Sequence, residues 1–499
     1  MSGKALPAVL RTDTLERPEN QDLNTDILRP VNFSQQGCKF VFEKKGILDS
    51  NSQLQIAQIV VDSTQPAVNT SSVLPTDTGA MAMIKRAFLT IGGKRVSNLD
   101  DVGHFGTWRR LHFSNEYKKG VAMVKQGGND VFVGSASRTI AGNSATAINA
   151  RGFAAPYGTL GRESSEYSIN SDAAASFGLP EDAKSDTRDK KRNHLTNDAS
   201  TTPNWVVGLS QIIPFLVGVQ LPLFAIKEEV ALNIEWADNT FGHRFYPPQS
   251  VSVGGVPTAI VATNCTSTMV ENRCLIMADY LFYPELMGEL AEEIMSRGGY
   301  DIGYDEFLTQ MGHTTYITGD MNNEYQLAMA GKRVKAVIVQ KELVDAANES
   351  INNIGRYNSL GLKNGVEPQL NIDAKNWYSQ PISNQSLQKS CADQVEGVPL
   401  QLCDYRWSWK NQQGAGGLGL SNRFVNTYPN SAAAASRKWI GIKLENAYGQ
   451  GVRVSNLPMI YSEKVNVDAT QNNQSRRVRF YVKTQRLLNI SAGLVNMIE

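Results

Sequence analysis

Apolar residues return at every second position in one segment after another of this 499-residue chain. Cys38, Phe40 and Phe42 alternate with Lys39, Val41 and Glu43. Val230, Leu232, Ile234 and Trp236 alternate with Glu229, Ala231, Asn233 and Glu235, and the period recurs at Ile440, Ile442 and Leu444 and at Val478, Phe480 and Val482. Successive side chains of a strand point to opposite faces, so this period marks strands with one face buried. Ile84 to Ile91 reads as another strand, with Gly92-Gly93 as a two-residue hairpin turn before Lys94–Val96. Many short strands separated by Gly, Pro and Asn predict an all-β sandwich or barrel.

Helical spacing is convincing at one place only. Cys274–Tyr283 alternates like a strand and runs directly into Pro284–Arg297. Pro284 suits a first helical turn, and Glu285 sits favourably at the positive end of the helix dipole. Met287, Leu290, Ala291 and Ile294 form one apolar stripe, Glu289, Glu292 and Glu293 lie largely off it, and Gly298-Gly299 can end the helix. With strand-rich sequence on both sides, this helix is either a surface helix packed on a sheet or a crossover between two β-domains.

A 41% hydrophobic, 19% charged composition belongs to an ordinary globular protein with room for two or three domains. The formal charge of +1 argues against strong electrostatic capture of nucleic acid. The N-terminus is no basic arm, because Lys4, Arg11, Arg17 and Arg29 are mixed with Asp13, Glu16, Glu19, Asp22 and Asp26. Sequence-specific nucleic-acid binding is not expected. Cys38, Cys265, Cys274, Cys391 and Cys403 are odd in number and scattered, which predicts free thiols in a reducing compartment. The opening residues have no apolar core of secretory length, so no signal peptide is read. Ala199 to Ile226 is uncharged, and Trp205–Ile226 is mostly apolar and about the length of a bilayer helix, but Pro214, Pro222, Gly208, Gly218, Gln211 and Gln220 interrupt it. Two or three buried strands with tight bends are expected over Trp205–Ile226.

Residues 161–204 and 345–390 are polar and without period, and read as long surface loops. Lys190-Lys191-Arg192 is diluted by Asp186 and Asp189 and reads as solvated.

No catalytic, cofactor-binding or metal-binding residues are assigned, and no cofactor is expected. Gly414–Gly419 (GAGGLG) matches a dinucleotide fingerprint, yet no apolar strand precedes it and no amphipathic helix follows. His104, His112, His194, His243 and His313 show no metal spacing; His104 and His112 flank Trp108 and read as packing residues. The adjacent pairs Glu228-Glu229 and Glu292-Glu293 diverge on a strand or a helix, which does not suit a hydrolase dyad.

Leu221–Trp236 (LPLFAIKEEVALNIEW), followed by Ala278–Glu293 (ADYLFYPELMGELAEE), resembles the double jelly-roll major capsid proteins of icosahedral double-stranded DNA viruses. Arg479–Glu499 is similar to that family's closing strand and tail, and Lys45–Ile56 and Met83–Val96 are closest in style to polinton-like viruses and virophages. The resemblance implies two consecutive eight-stranded jelly rolls joined by a short helical connector. Laid on this chain, it gives an N-terminal arm over 1–30, a first roll over 31–283, a connector over 284–299 and a second roll over 300–499. It further implies a non-enzymatic structural protein of the virion, assembled inside the infected host cell. Three copies would form a pseudo-hexagonal capsomer that meets neighbouring capsomers, penton proteins and minor capsid proteins. Near-zero net charge suits many identical copies in contact.

The alternative is a carbohydrate-binding or carbohydrate-active β-sandwich. Tyr405, Trp407 and Trp409 share one face of an expected strand and could stack on a sugar, or simply fill a core.

Overall fold

The computed structural model describes residues 22–62, 72–75, 78–111, 123–127, 202–240, 265–296, 299–344, 366–383, 439–455, 457–467 and 472–498, with short pieces at 137–139, 147–149, 194–195, 199, 243–245, 251–253, 256–258, 391–392, 394–395 and 469. Its four larger sheets form two β-sandwiches that follow one another along the chain, with four two-stranded pairings beside them.

In the first sandwich, one sheet runs in the order Asn32–Phe33, Gly37–Val41, Val230–Trp236, Ile84–Ile91, Lys94–Asp100. Leu232 lies opposite Phe40 on one side and Leu89 on the other, and Ile234 opposite Cys38 and Ala87. Every second residue therefore lands on one buried face, which is what the alternation predicts. Gly92 and Gly93 close the Ile84–Lys94 hairpin at φ 58° and 78°. Both angles are left-handed, as the tightest hairpin turn requires and as glycine tolerates. The facing sheet runs Asp22–Leu28, Leu275–Phe282, Gln53–Ile56, Trp205–Gly208, with Ile47–Leu48 also on the Leu275–Phe282 strand. The buried thiols of Cys38 and Cys274 meet between the sheets, 4.0 Å apart and unbridged.

The second sandwich is built on Ser475–Ser491, which pairs with Tyr300–Thr315 from Tyr300↔Ile490 to Thr315↔Ser475. Arg333–Leu343 lies on its other side, followed by Ile440–Lys443. The facing sheet runs Gly319–Leu327, Met459–Val467, Val366–Ile372, Lys375–Asn376. Val337, Val339, Leu370, Ile442, Tyr461, Val478, Phe480 and Val482 fill the space between the sheets. After Ser491 the chain turns through Ala492 and Gly493 and folds back as Leu494–Ile498.

Between the sandwiches, Leu275–Phe282 leads into a helix over Pro284–Ser296, which ends before the strand that starts at Tyr300. The Met287 amide donates to the Tyr283 carbonyl and closes the first turn. Leu286, Leu290 and Ile294 are buried, Met287 and Ala291 half-buried, and Glu285, Glu289 and Glu292 exposed. The stripe read from the sequence faces the protein, with Leu286 added to it.

Four segments differ from the sequence reading. Trp205–Ile226 holds one strand, Trp205–Gly208, not two or three; the rest is a helical turn at Leu209–Ile212 and 3-10 turns at Pro214–Leu216 and Leu223–Ala225. Pro214 and Pro222 cannot donate to a ladder, so several amides here bond locally, as in Ile213 N–H to Leu209 O and Val217 N–H to Pro214 O, while Leu221 and Phe224 donate to Leu48 and Gly46. Val366–Ile372, expected inside a loop, is a strand whose Val366, Pro368, Leu370 and Ile372 are buried. Val102–Leu111 is a second substantial helix. Val102, Phe105, Trp108, His104 and Thr107 are all buried, so it is covered on several sides and carries no stripe for periodicity to detect. Asp22–Leu28, assigned to an N-terminal arm, is a strand paired along its whole length with Leu275–Phe282.

The expected loop 161–204 lies mostly outside the described residues, although His194–Leu195 pairs with Ser72–Val73. Lys190–Arg192, His112, Cys403, Tyr405, Trp407, Trp409 and Gly414–Gly419 also lie outside them. Among the described residues, no helix is long and apolar enough to cross a membrane.

Candidate assembly surfaces

Two features of this molecule bear on building something larger from it: a junction that fastens the sandwiches together, and apolar edges that face outward. The junction begins at the Val102–Leu111 helix. Phe105 places its ring 4.6 Å from Phe307 and 5.3 Å from Tyr481, both of the second sandwich. Phe215, in the proline-interrupted segment, meets Tyr304 edge-on at 4.7 Å. The segment expected as buried strands is thus part of the filling between the sandwiches. Apolar contact of this kind is the largest favourable term available to hold two domains together.

Polar groups fix the register of that contact. Arg479 Nε donates to Asp101 Oδ2 at 2.9 Å, while its terminal nitrogen reaches Glu342 Oε2 at 2.5 Å and Gln340 Oε1 at 3.1 Å. Burial alone would lower the guanidinium pKa, but Glu342 and Asp101 outweigh it and hold the group above its ordinary value. Tyr304 OH donates to the Val96 carbonyl at 2.9 Å and Tyr481 OH to that of Asp101 at 3.1 Å. The Asn98 amide donates to Glu306 Oε1 at 3.2 Å, and Arg486 lies 2.7 Å from the other Glu306 oxygen. At the chain's end, Val495 N–H donates to Glu228 Oε2 at 2.8 Å and Lys94 Nζ to the Val495 carbonyl at 2.9 Å. The terminal hairpin of the second sandwich is therefore strapped to the first. Buried, directional bonds of this sort allow one arrangement and penalise others.

The outward edges are different in kind. Among the described residues, Asp22–Leu28 is the outermost strand of its sheet and exposes Leu23 (59%) and Ile27 (65%). Val31 beyond it is 65% exposed, and Met277, in register with Ile27, is 40% exposed. Among the described residues Tyr300–Thr315 is also an edge strand, with Met311 on it and Ile317 just past its end exposed. Aliphatic side chains beside unpaired strand backbone are a surface suited to another polypeptide.

The residues singled out from the sequence sit as follows. His104 Nε2 lies 3.9 Å from Glu342 Oε2 within the junction. Trp108 is fully buried and His313 is exposed. Glu228 and Glu229 diverge, the first to the Val495 amide and the second to Lys39 Nζ at 2.6 Å. Glu292 and Glu293 lie on the connector helix, away from both. Among the described residues, no three or more His, Cys, Asp or Glu side chains group closely enough to hold a metal ion. A buried ion pair does exist inside the second sandwich, with Lys341 Nζ 2.6 Å from Glu463 Oε2. Tyr461 OH and Asn323 Nδ2 each donate to Glu463 at 3.2 Å, so the carboxylate is satisfied by the core around it.

The sequence reading missed the junction entirely. Gly106, inside the Val102–Leu111 helix, marks a close approach within the first sandwich, where an added Cβ would come within 2.5 Å of the Met81 side chain.

No protein-family model matches the chain, and no curated protein matches it. Solved structures do. A chain in the structure of the Sputnik virophage is 11% identical, with 97% of this chain and 89% of that chain covered at a TM-score of 0.51. The mavirus major capsid protein is 10% identical, with 98% of this chain and 93% of that chain covered at a TM-score of 0.50. Two sandwiches in succession, a helix between them and a match along nearly the whole length give this chain the double jelly-roll fold of the viral major capsid proteins.

Proposed function

We propose that this chain is the major capsid protein of an icosahedral virus, acting as a structural subunit and not as an enzyme. Three copies form a pseudo-hexagonal capsomer, and capsomers meet one another and penton and minor capsid proteins in a shell assembled inside the infected host cell. The roll boundaries that go with this reading are 31–283 and 300–499, with 284–299 between them and the Asp22–Leu28 strand joined to the first roll. The observation that carries it is the coincidence, on one chain with this fold, of a junction locked by Arg479 and outer edges left apolar at Leu23, Ile27 and Val31. A rigid two-roll block with sticky flanks is what a repeating shell needs, since symmetric assembly places the same patches in contact many times. Residues 1–21 lie outside the described part and enter none of this.

Light scattering on the purified protein tests the proposal. At micromolar concentration the expected mass is three times the 54.8 kDa of the chain. A monomer with no larger species under any assembly condition would overturn it.

A further inference from the structure

Where the connector helix, the first roll and the terminal hairpin of the second roll meet, they leave a pocket of about 420 Å³ that opens to solvent. Its walls are Phe224 and Ala225 from the first roll, Ala291 and Ile294 from the helix, and Ala492 beside Gly493 from the hairpin turn. Lys227 is the one charged residue lining it. The Lys227 amide donates to the Gly493 carbonyl at 2.9 Å, and the side-chain stem lies so close over Gly493 that an added Cβ would be 2.6 Å from Lys227 Cγ. Gly493 also has φ +87°, so the turn requires glycine twice over. The stem is thereby held across the turn with its ammonium toward solvent. Among the described residues no carboxylate lies within ion-pair distance of that ammonium; one oxygen of the neighbouring Glu228 accepts from the Val495 amide.

The geometry points to a binding site for a free long-chain carboxylate, with the aliphatic chain between Phe224, Ala291 and Ile294 and the carboxylate at Lys227. The volume lies toward the small end of the range of roughly 300–1,000 Å³ for ligand cavities. If a methylene takes roughly the 30 Å³ share of a water molecule, about a dozen fill it. The lining supplies alkyl and aromatic surface and one cation, which suits one apolar chain with one anionic end. This site does not depend on the shell-building reading and survives its failure.

Calorimetric titration of the full-length protein with dodecanoate and with 1-dodecanol tests it. Dodecanoate is expected to bind saturably at one per chain, about fivefold tighter than the alcohol, as one exposed ion pair allows. Ala291→Phe fills the cavity and should weaken both probes more than tenfold, with elution volume and melting temperature unchanged. Lys227→Gln alters only an exposed group, so it keeps the test open if the first variant does not fold. It should lower dodecanoate affinity about fivefold and leave the alcohol unaffected. Absence of saturable binding would overturn the proposal, as would equal affinity for the two probes in the unaltered protein. So would unchanged binding in a folded Ala291→Phe, or retention by anionic phosphatidylglycerol vesicles with no binding of monomeric dodecanoate.

Discussion

Arg479 extends from the central strand of the second roll and sets its Nε 2.9 Å from the Asp101 carboxylate of the first, 378 residues away in sequence. With Arg479 2% exposed and Glu342 4%, the guanidinium is the shared counter-ion of a buried cluster. Replacing Arg479 with Met leaves Asp101 without this cation and Glu342 with the longer contact to Arg477 at 3.6 Å, and breaking a buried pair from one side costs about 3–5 kcal/mol. Asp101→Asn should cost less, about 1–3 kcal/mol, because the amide can still accept a hydrogen bond and Asn tolerates the residue's φ of 51°. Denaturant unfolding of both variants checks the order; equal losses would mean that the charge of Asp101 matters as much as that of Arg479.

On the connector helix, Leu290 is 2% exposed and Glu292 is solvated. Leu290→Asp removes an apolar side chain worth about 1.5–3 kcal/mol and puts an unpaired carboxylate in its place, which adds to the loss. Glu292→Gln should stay within about 0.5 kcal/mol of the parent. Thermal melts and soluble yield measure the contrast, and a Leu290→Asp protein with parental stability would show that the helix is not packed.

Alkaline conditions should unfold this protein early. Burial pushes Tyr280 up to about 12 from its ordinary 10, and it drives Tyr461 and Tyr481 well above that value. A group whose folded pKa is raised stabilises fully below its unfolded pKa and loses that contribution as pH climbs to the folded one. For Tyr280 the loss runs from about pH 10 to 12. Melting temperature should fall progressively above pH 10, and Tyr280→Phe should lessen the fall. A flat profile to pH 12 would contradict the burial of these phenols.

Ile27 is exposed on the outermost strand, so Ile27→Lys should change the stability of the single chain by no more than about 0.5 kcal/mol. A charge placed in an apolar contact between copies would be desolvated, and the population of the proposed trimer, measured by light scattering, should drop. An unaltered trimer would mean that this edge is not where copies meet.

The strands with a period of two and the helix over Pro284–Ser296 could be read from the chain because one face of each is buried and the other is not. That asymmetry is written locally, in residues two or four positions apart. It carried the all-β class, the Ile84–Lys94 hairpin and the helix between the rolls. The Val102–Leu111 helix left no such trace, since the two rolls and the turn at Gly79–Met83 cover it on several sides. Val366–Ile372 was hidden by polar neighbours, and Trp205–Ile226 by an apolar run that suits strands and packed turns alike. The Arg479–Asp101 pair, and a cavity drawn from Phe224, Ile294 and Ala492, join residues that no local pattern relates. Only the packing of one roll on the other brings them within bonding distance, because ion pairs and cavity walls depend on separation in space, which periodicity along the chain does not encode.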